Sequence, residues 1–165
     1  MSLDNFQISS ALVYELYKDS LVALDDEQLI QESFNSDKPS FLGNNSKRIL
    51  ILTDSATAIH LEDNELQLLI GILSACKLTL EDVAVCNLNK SSQANNERLM
   101  EIFQPEKLIY FGVNNDVSLP IPKAFFTIQS NHQIKCLASP SLHIISEDAN
   151  LKKSLWNSLK LLFEL

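Results

Sequence analysis

The segment Lys47-Arg-Ile-Leu-Ile-Leu-Thr53 decides the fold class of this chain. Its apolar residues run without polar alternation, which is typical of a strand buried on both faces of a parallel sheet. The segments DVAVCNL (82–88), KLIYFGV (107–113) and QIKCLAS (133–139) read similarly, and KAFFTIQ (123–129) is a further candidate strand. Between most of these strands lie segments whose apolar residues recur at helical spacing. The sequence therefore predicts a three-layer α/β/α sandwich with a mainly parallel four-stranded sheet, and an extra edge strand is possible.

Three helices are expected within this α/β domain, which we place at residues 47–165. The first begins after Asp63 or Asn64 as its N-cap and ends near Cys76, with its apolar residues on one stripe. The second covers NNERLMEIF and is stopped by Pro105. The third spans residues 148–163, with leucines on one face and Trp156 in or beside the core, although an interface is an alternative for Trp156.

Residues 1–46 are predicted to form an N-terminal helical arm and a linker. Apolar residues at helical spacing predict an amphipathic helix near residues 5–18, and turn-forming residues make NSDKPSFLGNNS (35–46) look like a linker. Five side chains of the arm are candidate partner-binding residues, namely Leu12, Tyr14, Leu16, Tyr17 and Leu21. An equally weighted alternative is that the helix packs on its own domain, because so short a helix must bury its apolar face somewhere.

Charge and composition limit the function further. The chain has a net charge of −8 and only two arginines, Arg48 and Arg98, so tight autonomous binding to nucleic acid is not expected. No apolar run approaches the length of a membrane span, and no signal peptide is evident, which favours a cytoplasmic protein. Three widely spaced cysteines indicate reduced, buried thiols rather than a metal site, so no cofactor is expected.

The order of these segments resembles the uracil-DNA glycosylase superfamily. The similarity lies in the strand KRILILT, the helix NELQLLIGILSACKL followed by a strand that ends at Asn87, the segment FQPEKLIYFG that ends at Gly112, and Ser139-Pro140-Ser141 in place of His-Pro-Ser. Within that superfamily, the C-terminal segment ASPSLHIISEDANLKKSLWNSLKLLF is similar to the psi subunit of bacterial DNA polymerase III. That family has a glycosylase-like fold without glycosylase chemistry, docks on the clamp loader through its N-terminus, and binds the chi subunit.

The resemblance also implies that catalytic residues are missing. Where the enzymes have a glycine-rich loop, this chain has Thr53-Asp54-Ser55-Ala56, and Ser139 replaces the histidine that stabilises the departing base. Three cysteines are too few for the iron–sulfur cluster of some members. The remnant of the enzyme cleft is expected to contain Asp54, Asn87, Ser139, Ser141 and His143. Purely structural roles are the alternative for these side chains, such as turn caps for Asp54 and Asn87 and a surface loop for His143.

These observations favour a non-catalytic protein-binding accessory subunit of a replicative polymerase assembly. Its expected partners are proteins, with a clamp loader or a chi-like subunit as candidates. Two alternatives are a diverged base hydrolase of the glycosylase type and a small-molecule binder that uses the remnant cleft. The lost glycines and the lost histidine count against the hydrolase.

Overall fold

The chain forms an α/β domain around a six-stranded mixed sheet. A computed structural model describes residues 39–90, 93–113 and 119–165, and the side chains of 93–97 lie outside the description. The compact unit that contains the sheet spans Lys38–Leu165. The strands in chain order are β1 (Phe41–Gly43), β2 (Ile49–Thr53), β3 (Val83–Asn87), β4 (Lys107–Phe111), β5 (Ile128–Asn131) and β6 (Ile134–Ser139).

The strand order is β1-β3-β2-β4-β6-β5, with parallel pairing in the centre and antiparallel pairing at both edges. Every residue of β2 and β3 is buried, as expected for strands that are covered on both faces. The four central strands correspond to the four predicted ones. The predicted strand number is nevertheless wrong, because two short edge strands extend the sheet to six.

Both edge strands fall where the sequence pattern is weak. The strand β1 lies inside the segment predicted as a linker, and it pairs with β3 from Phe41 opposite Cys86 to Gly43 opposite Ala84. Gly43 has a φ of 98°, and a Cβ there would collide with the carbonyl oxygens of Val83 and Leu80. Only glycine permits this close approach of two backbones. Residues 41–43 therefore belong to the sheet rather than to a linker.

The other edge strand begins later than the sequence pattern predicts. The segment KAFFTIQ suggests a strand from Lys123, but β5 starts at Ile128. Phe126 just before it has a φ of 62°, outside the extended region, and its N–H donates to the carbonyl of Ala138 at 2.8 Å. The chain thus turns at Phe126 before it pairs with β6.

Helices cover both faces of the sheet. They are α1 (Asp63–Ala75), α2 (Gln93–Phe103), α3 (Leu142–Glu147) and α4 (Ala149–Phe163), with short 3₁₀ turns at Leu80–Asp82 and Leu88–Lys90. Side chains alternate along each strand, so Ile49 and Ile51 face α1, α3 and α4, whereas Leu50 and Leu52 face α2. Each face of the sheet therefore has its own apolar core.

The helix starts agree only in part with the local sequence signals. The N-cap of α1 is Glu62 rather than Asp63 or Asn64, and its N–H is bound by the carboxylate of Glu65 at 3.4 Å. The helix α4 begins as predicted, because Asp148 accepts hydrogen bonds from the N–H groups of Asn150 and Leu151. The short helix α3 was not predicted. Within the described residues, no helix is long and apolar enough to cross a membrane.

Candidate functional site: the cleft at the strand ends and the α1–α4 groove

A cleft of about 310 Å³ opens at the carboxyl ends of β2 and β4. In parallel α/β sheets, this edge is where ligands usually bind. The cleft is bounded by the loop after β2, the start of α1 and the start of α3. Its lining consists of Thr53, Asp54, Ser55, Ala56, Leu61, Glu62, Glu65, Phe111, Ser141, Leu142 and His143. Of the five residues predicted for the remnant cleft, three therefore line one pocket: Asp54, Ser141 and His143.

Asn87 is the best-anchored polar side chain near the cleft. It is buried at the end of β3, and its amide donates to the carbonyl oxygens of Ser55 at 2.8 Å and Ala58 at 2.9 Å. Its Oδ1 accepts from the N–H groups of Ser55 and Asn89, both at 3.1 Å. These bonds hold the loop after β2 against the end of β3. Asn87 lies beneath the loop and is not part of the cleft lining.

Asp54 is exposed at the end of β2. Its carboxylate accepts a hydrogen bond from the side-chain amide of Asn89 at 3.0 Å. Lys90, at the end of the 3₁₀ turn, donates to the carbonyl of Ala56 in the same loop at 2.6 Å. The loop after β2 is therefore tied to the loop after β3 through polar side chains at several points.

The Ser139-Pro140-Ser141 segment connects β6 to α3. Gly112, directly after β4, has a φ of 70°, and a Cβ there would lie 2.8 Å from the Cβ of Ser141. The N–H of Gly112 donates to the carbonyl of Ser139 at 3.0 Å. Ser141 is the N-cap of α3 and accepts from the N–H of Ile144 at 3.4 Å. Ser139 is 1% exposed, and its hydroxyl has no hydrogen-bond partner among the described residues. It lies outside the cleft lining.

His143 lies on α3, not in the loop that the sequence suggested. It is exposed, and its Nε2 is 3.7 Å from the carboxylate of Glu147, one helical turn further on. This distance fits a weak ion pair if the imidazole is protonated. Geometry therefore gives His143 a partner on its own helix, although it also borders the cleft.

Two carboxylates that were not predicted, Glu62 and Glu65, also line the cleft. Glu62 accepts a hydrogen bond from the hydroxyl of Thr57 at 2.6 Å, and Glu65 completes the cap of α1. The Glu-x-x-Glu spacing at a helix start could have identified both. With Asp54, they give the lining three carboxylates, and no lysine or arginine is among the described residues that form it.

This lining is chemically unsuited to the reaction of the glycosylases. A departing base is an anion and needs hydrogen-bond donors or positive charge, and the DNA around it carries negative phosphates. The three carboxylates would repel both the anionic base and the phosphates. The volume and charge instead suit a small neutral or cationic molecule. In the part of the chain that the structure covers, no cluster of three or more histidine, cysteine or acidic residues could hold a metal ion.

The three cysteines are buried, as the sequence predicts. Burial raises the pKa of Cys86 to about 12 and that of Cys136 to about 11, and it also raises the pKa of Cys76. A thiol with a raised pKa is a poor nucleophile at neutral pH, because the thiolate is the reactive form. All three cysteines therefore serve the core.

A basic depression of about 500 Å³ lies at the opposite, amino-terminal edge of the sheet. Its cations are largely paired: Arg48 is 3.6 Å from Glu106, and Lys135 is 2.8 Å from Glu164. The hydrogen bond from Lys135 lowers the pKa of Glu164, so this carboxylate stays charged and offsets the lysine. The depression therefore offers little uncompensated positive charge for phosphates.

An apolar groove of about 350 Å³ lies between α1 and α4, and we call it the α1–α4 groove. It is lined by Gln67, Leu68, Gly71, Ile72, Ala75, Ile145, Lys152, Leu155, Trp156 and Leu159. Nearly all of this surface is carbon, in contrast to the polar cleft at the strand ends. Surface patches of this kind commonly mark binding sites for proteins. The sequence predicts Leu155 on the apolar face of this helix and Trp156 in or beside the core, with an interface as the alternative for Trp156, and it does not predict a groove.

Comparison with known proteins supplies no relative: no family model and no curated protein matches this chain. The five predicted partner-binding residues lie outside the described residues, so their role stays a prediction. They are Leu12, Tyr14, Leu16, Tyr17 and Leu21.

Proposed function

We propose that this protein is a non-catalytic, protein-binding accessory subunit with a glycosylase-like fold, similar in role to the psi subunit of bacterial DNA polymerase III. It would act in the cytoplasm by joining a clamp loader or a chi-like subunit to its assembly. The proposal rests on the sequence resemblance together with the chemistry of the cleft and the apolar surface between α1 and α4.

The observation that carries the non-catalytic part is the use of Asn87. Its donors and its acceptor hold the loop after β2, where the glycosylases need a loop that approaches the flipped base. Ser139, which replaces the family's histidine, is buried outside the cleft lining. The hydrogen bonds of Asn87 thus serve the local structure beside the cleft, and the cleft lining itself contains three carboxylates.

The protein-binding part is supported by the α1–α4 groove and by the amphipathic pattern of residues 5–18. A small-molecule binder is a second candidate, which the volume of the cleft favours. The two candidates differ in which substitutions matter. A protein adaptor should tolerate Asp54→Ala and Glu62→Ala in all its interactions, whereas a binder in the cleft should lose its ligand.

Affinity capture from the native host, followed by quantitative mass spectrometry, tests the proposal. The full chain should enrich subunits of the replicative polymerase or its clamp loader. A variant with Leu12→Ser and Leu16→Ser should lose part of this set, while Ser9→Ala, a polar change in the same segment, should keep it. Failure to enrich any replication protein, or release of uracil from DNA by the purified chain, would contradict the proposal.

A further inference from the structure

The α1–α4 groove owes its depth to a residue without a side chain. Gly71 lies in the middle of α1, where glycine destabilises a helix by about 1 kcal/mol relative to alanine. A Cβ added there would have no heavy atom within 4 Å, so neither a tight contact nor a positive φ requires glycine. What glycine does at this position is leave the space above Leu155 and Trp156 open.

The groove is flanked by positive charge on one side. The helix α4 contains three lysines and no acidic residue. Lys152 lines the groove, and the ammonium of Lys160 is 5.9 Å from the ring centroid of Trp156. On the other side, α1 has no charged residue from Leu66 to Ala75.

Acidic groups at the ends of the helices that border the groove are already engaged. Asp148 caps α4 by accepting from two backbone N–H groups, and Glu147 faces His143 at 3.7 Å. Glu65, in the first turn of α1, accepts from the N–H of Glu62 and lines the cleft at the strand ends instead. Within a chain of net charge −8, the lysine flank is therefore a local exception.

We infer that the α1–α4 groove binds an amphipathic helix of a partner protein, and that the flank of this helix that faces α4 is acidic. A helix laid between two others places apolar residues at i, i+3, i+4 and i+7 into the groove. Acidic residues on its flank would meet Lys152 and Lys160, which fixes its orientation and excludes basic helices. This inference rests on the proposed function, because it names the partner chemistry of a protein-binding surface.

Trp156 provides a direct assay, because it is the only tryptophan of the chain and it lines the groove. The probe is a synthetic helical peptide of about 18 residues, with leucines on one face and glutamates on its flanks. A second peptide has lysine at every glutamate position. Titration of the full chain with the first peptide should shift the emission of Trp156 to the blue and saturate, and the second should bind at least about tenfold more weakly.

Two pairs of variants locate the binding. Gly71→Leu should fill the groove and weaken the first peptide about tenfold or more, whereas Ser74→Leu adds the same side chain to an exposed position of α1 outside the lining. Lys152→Glu should reduce the preference for the glutamate peptide, and Lys153→Glu, outside the lining, should do so less. Because leucine favours a helix over glycine, Gly71→Leu should also fold at least as well as the parent.

The possible results separate this inference from the proposed function. Equal binding of both peptides, no binding, or binding unaffected by Gly71→Leu would overturn the inference. A blue shift of Trp156 that depends on protein concentration alone would assign the groove to a second copy and overturn it too. If Gly71→Leu still captures the full set of replication proteins, the function stands and the groove is not its site. If the peptide binds but no replication protein is captured, the groove stands and the function fails.

Discussion

Replacing Asn87 with alanine tests whether this residue has a structural role or is the remnant of a catalytic residue. If Asn87 were the remnant of a glycosylase residue, as the sequence resemblance implies, it would serve the substrate, and removing it would mainly affect activity. Here the side chain of Asn87 makes four hydrogen bonds to the backbone of residues 55, 58 and 89. We therefore expect Asn87→Ala to be a stability mutation.

The magnitude follows from what the substitution leaves unpaired. Two N–H donors and two carbonyl acceptors lose their partner, and a buried unpaired group costs roughly 1–3 kcal/mol. Water can reach part of this loop, because Asp54 and Ala56 are exposed, so the sum falls well below four full penalties. We expect a loss of about 2–4 kcal/mol in the free energy of unfolding. For a chain of this size, that corresponds to a decrease in Tm of about 5–15 °C.

Urea unfolding, monitored by the fluorescence of Trp156, measures this difference in the free energy of unfolding. Asn89→Ala is the matched control, because Asn89 is exposed and its side chain makes one bond, to Asp54. It should cost less than about 1 kcal/mol. An Asn87→Ala protein within about 0.5 kcal/mol of the parent would refute the argument, since the side chain would then be available for another role.

Three further predictions concern charge and the arm. The N–H of Thr79, and then Lys47, lower the pKa of Asp82, so its stabilising contribution is present above the unfolded pKa of about 3.9 and is lost as the pH falls through the lower folded value. Asp82→Asn should thus lower Tm at neutral pH, and by less as the pH falls below about 3.9. An unchanged Tm at neutral pH would contradict this. Fluorescence anisotropy at about 150 mM salt should give a Kd for bare oligonucleotides above roughly 1 µM, and tighter binding would contradict the charge argument. A chain that begins at Lys38 should fold but lose partner proteins. A chain that begins at Ser46 should have a lower Tm, because it lacks β1. If the chain that begins at Lys38 retained all partners, this would contradict the role of the arm.

The central strands could be predicted because strands that are buried on both faces have a largely apolar composition. Strands such as β2 and β3 are covered on both faces, so every position before their polar last residues, Thr53 and Asn87, is apolar, and no alternation is needed to recognise them. The helix α4 was equally clear, since Asp148 is a good N-cap and Leu155, Leu159 and Leu162 share its buried face.

The edge strand β1 could not be recognised and β5 only in part, because their pairing depends on tertiary contacts. The strand β1 has three residues within a stretch of turn formers, and its pairing depends on Gly43 fitting against Val83 and Leu80, which are distant in sequence. The strand β5 is mostly exposed and polar. The local pattern of β1 does not compete with the turn signals beside it, and the predicted strand KAFFTIQ overlaps β5 only at Ile128 and Gln129.

The candidate sites show the same division between local and tertiary information. The sequence places Asp54 at a strand end, and the structure adds Glu62 and Glu65 to its surroundings because α1 starts beside that strand. The α1–α4 groove depends on how two helices pack, and the spacing of apolar residues alone makes Ile70 look buried although it is 45% exposed. Periodicity identifies an apolar face but not which part of it the partner helix covers.

Titration of the full chain against purified clamp-loader and chi-like subunits of its own host tests the central claim most directly. Isothermal titration calorimetry should show a saturable complex with at least one of them, with a Kd below about 1 µM, and the Asp54→Ala variant should bind equally well. The same protein should release no uracil from single- or double-stranded DNA. Absence of binding to every one of these subunits, together with excision of uracil that Asp54→Ala abolishes, would contradict the account.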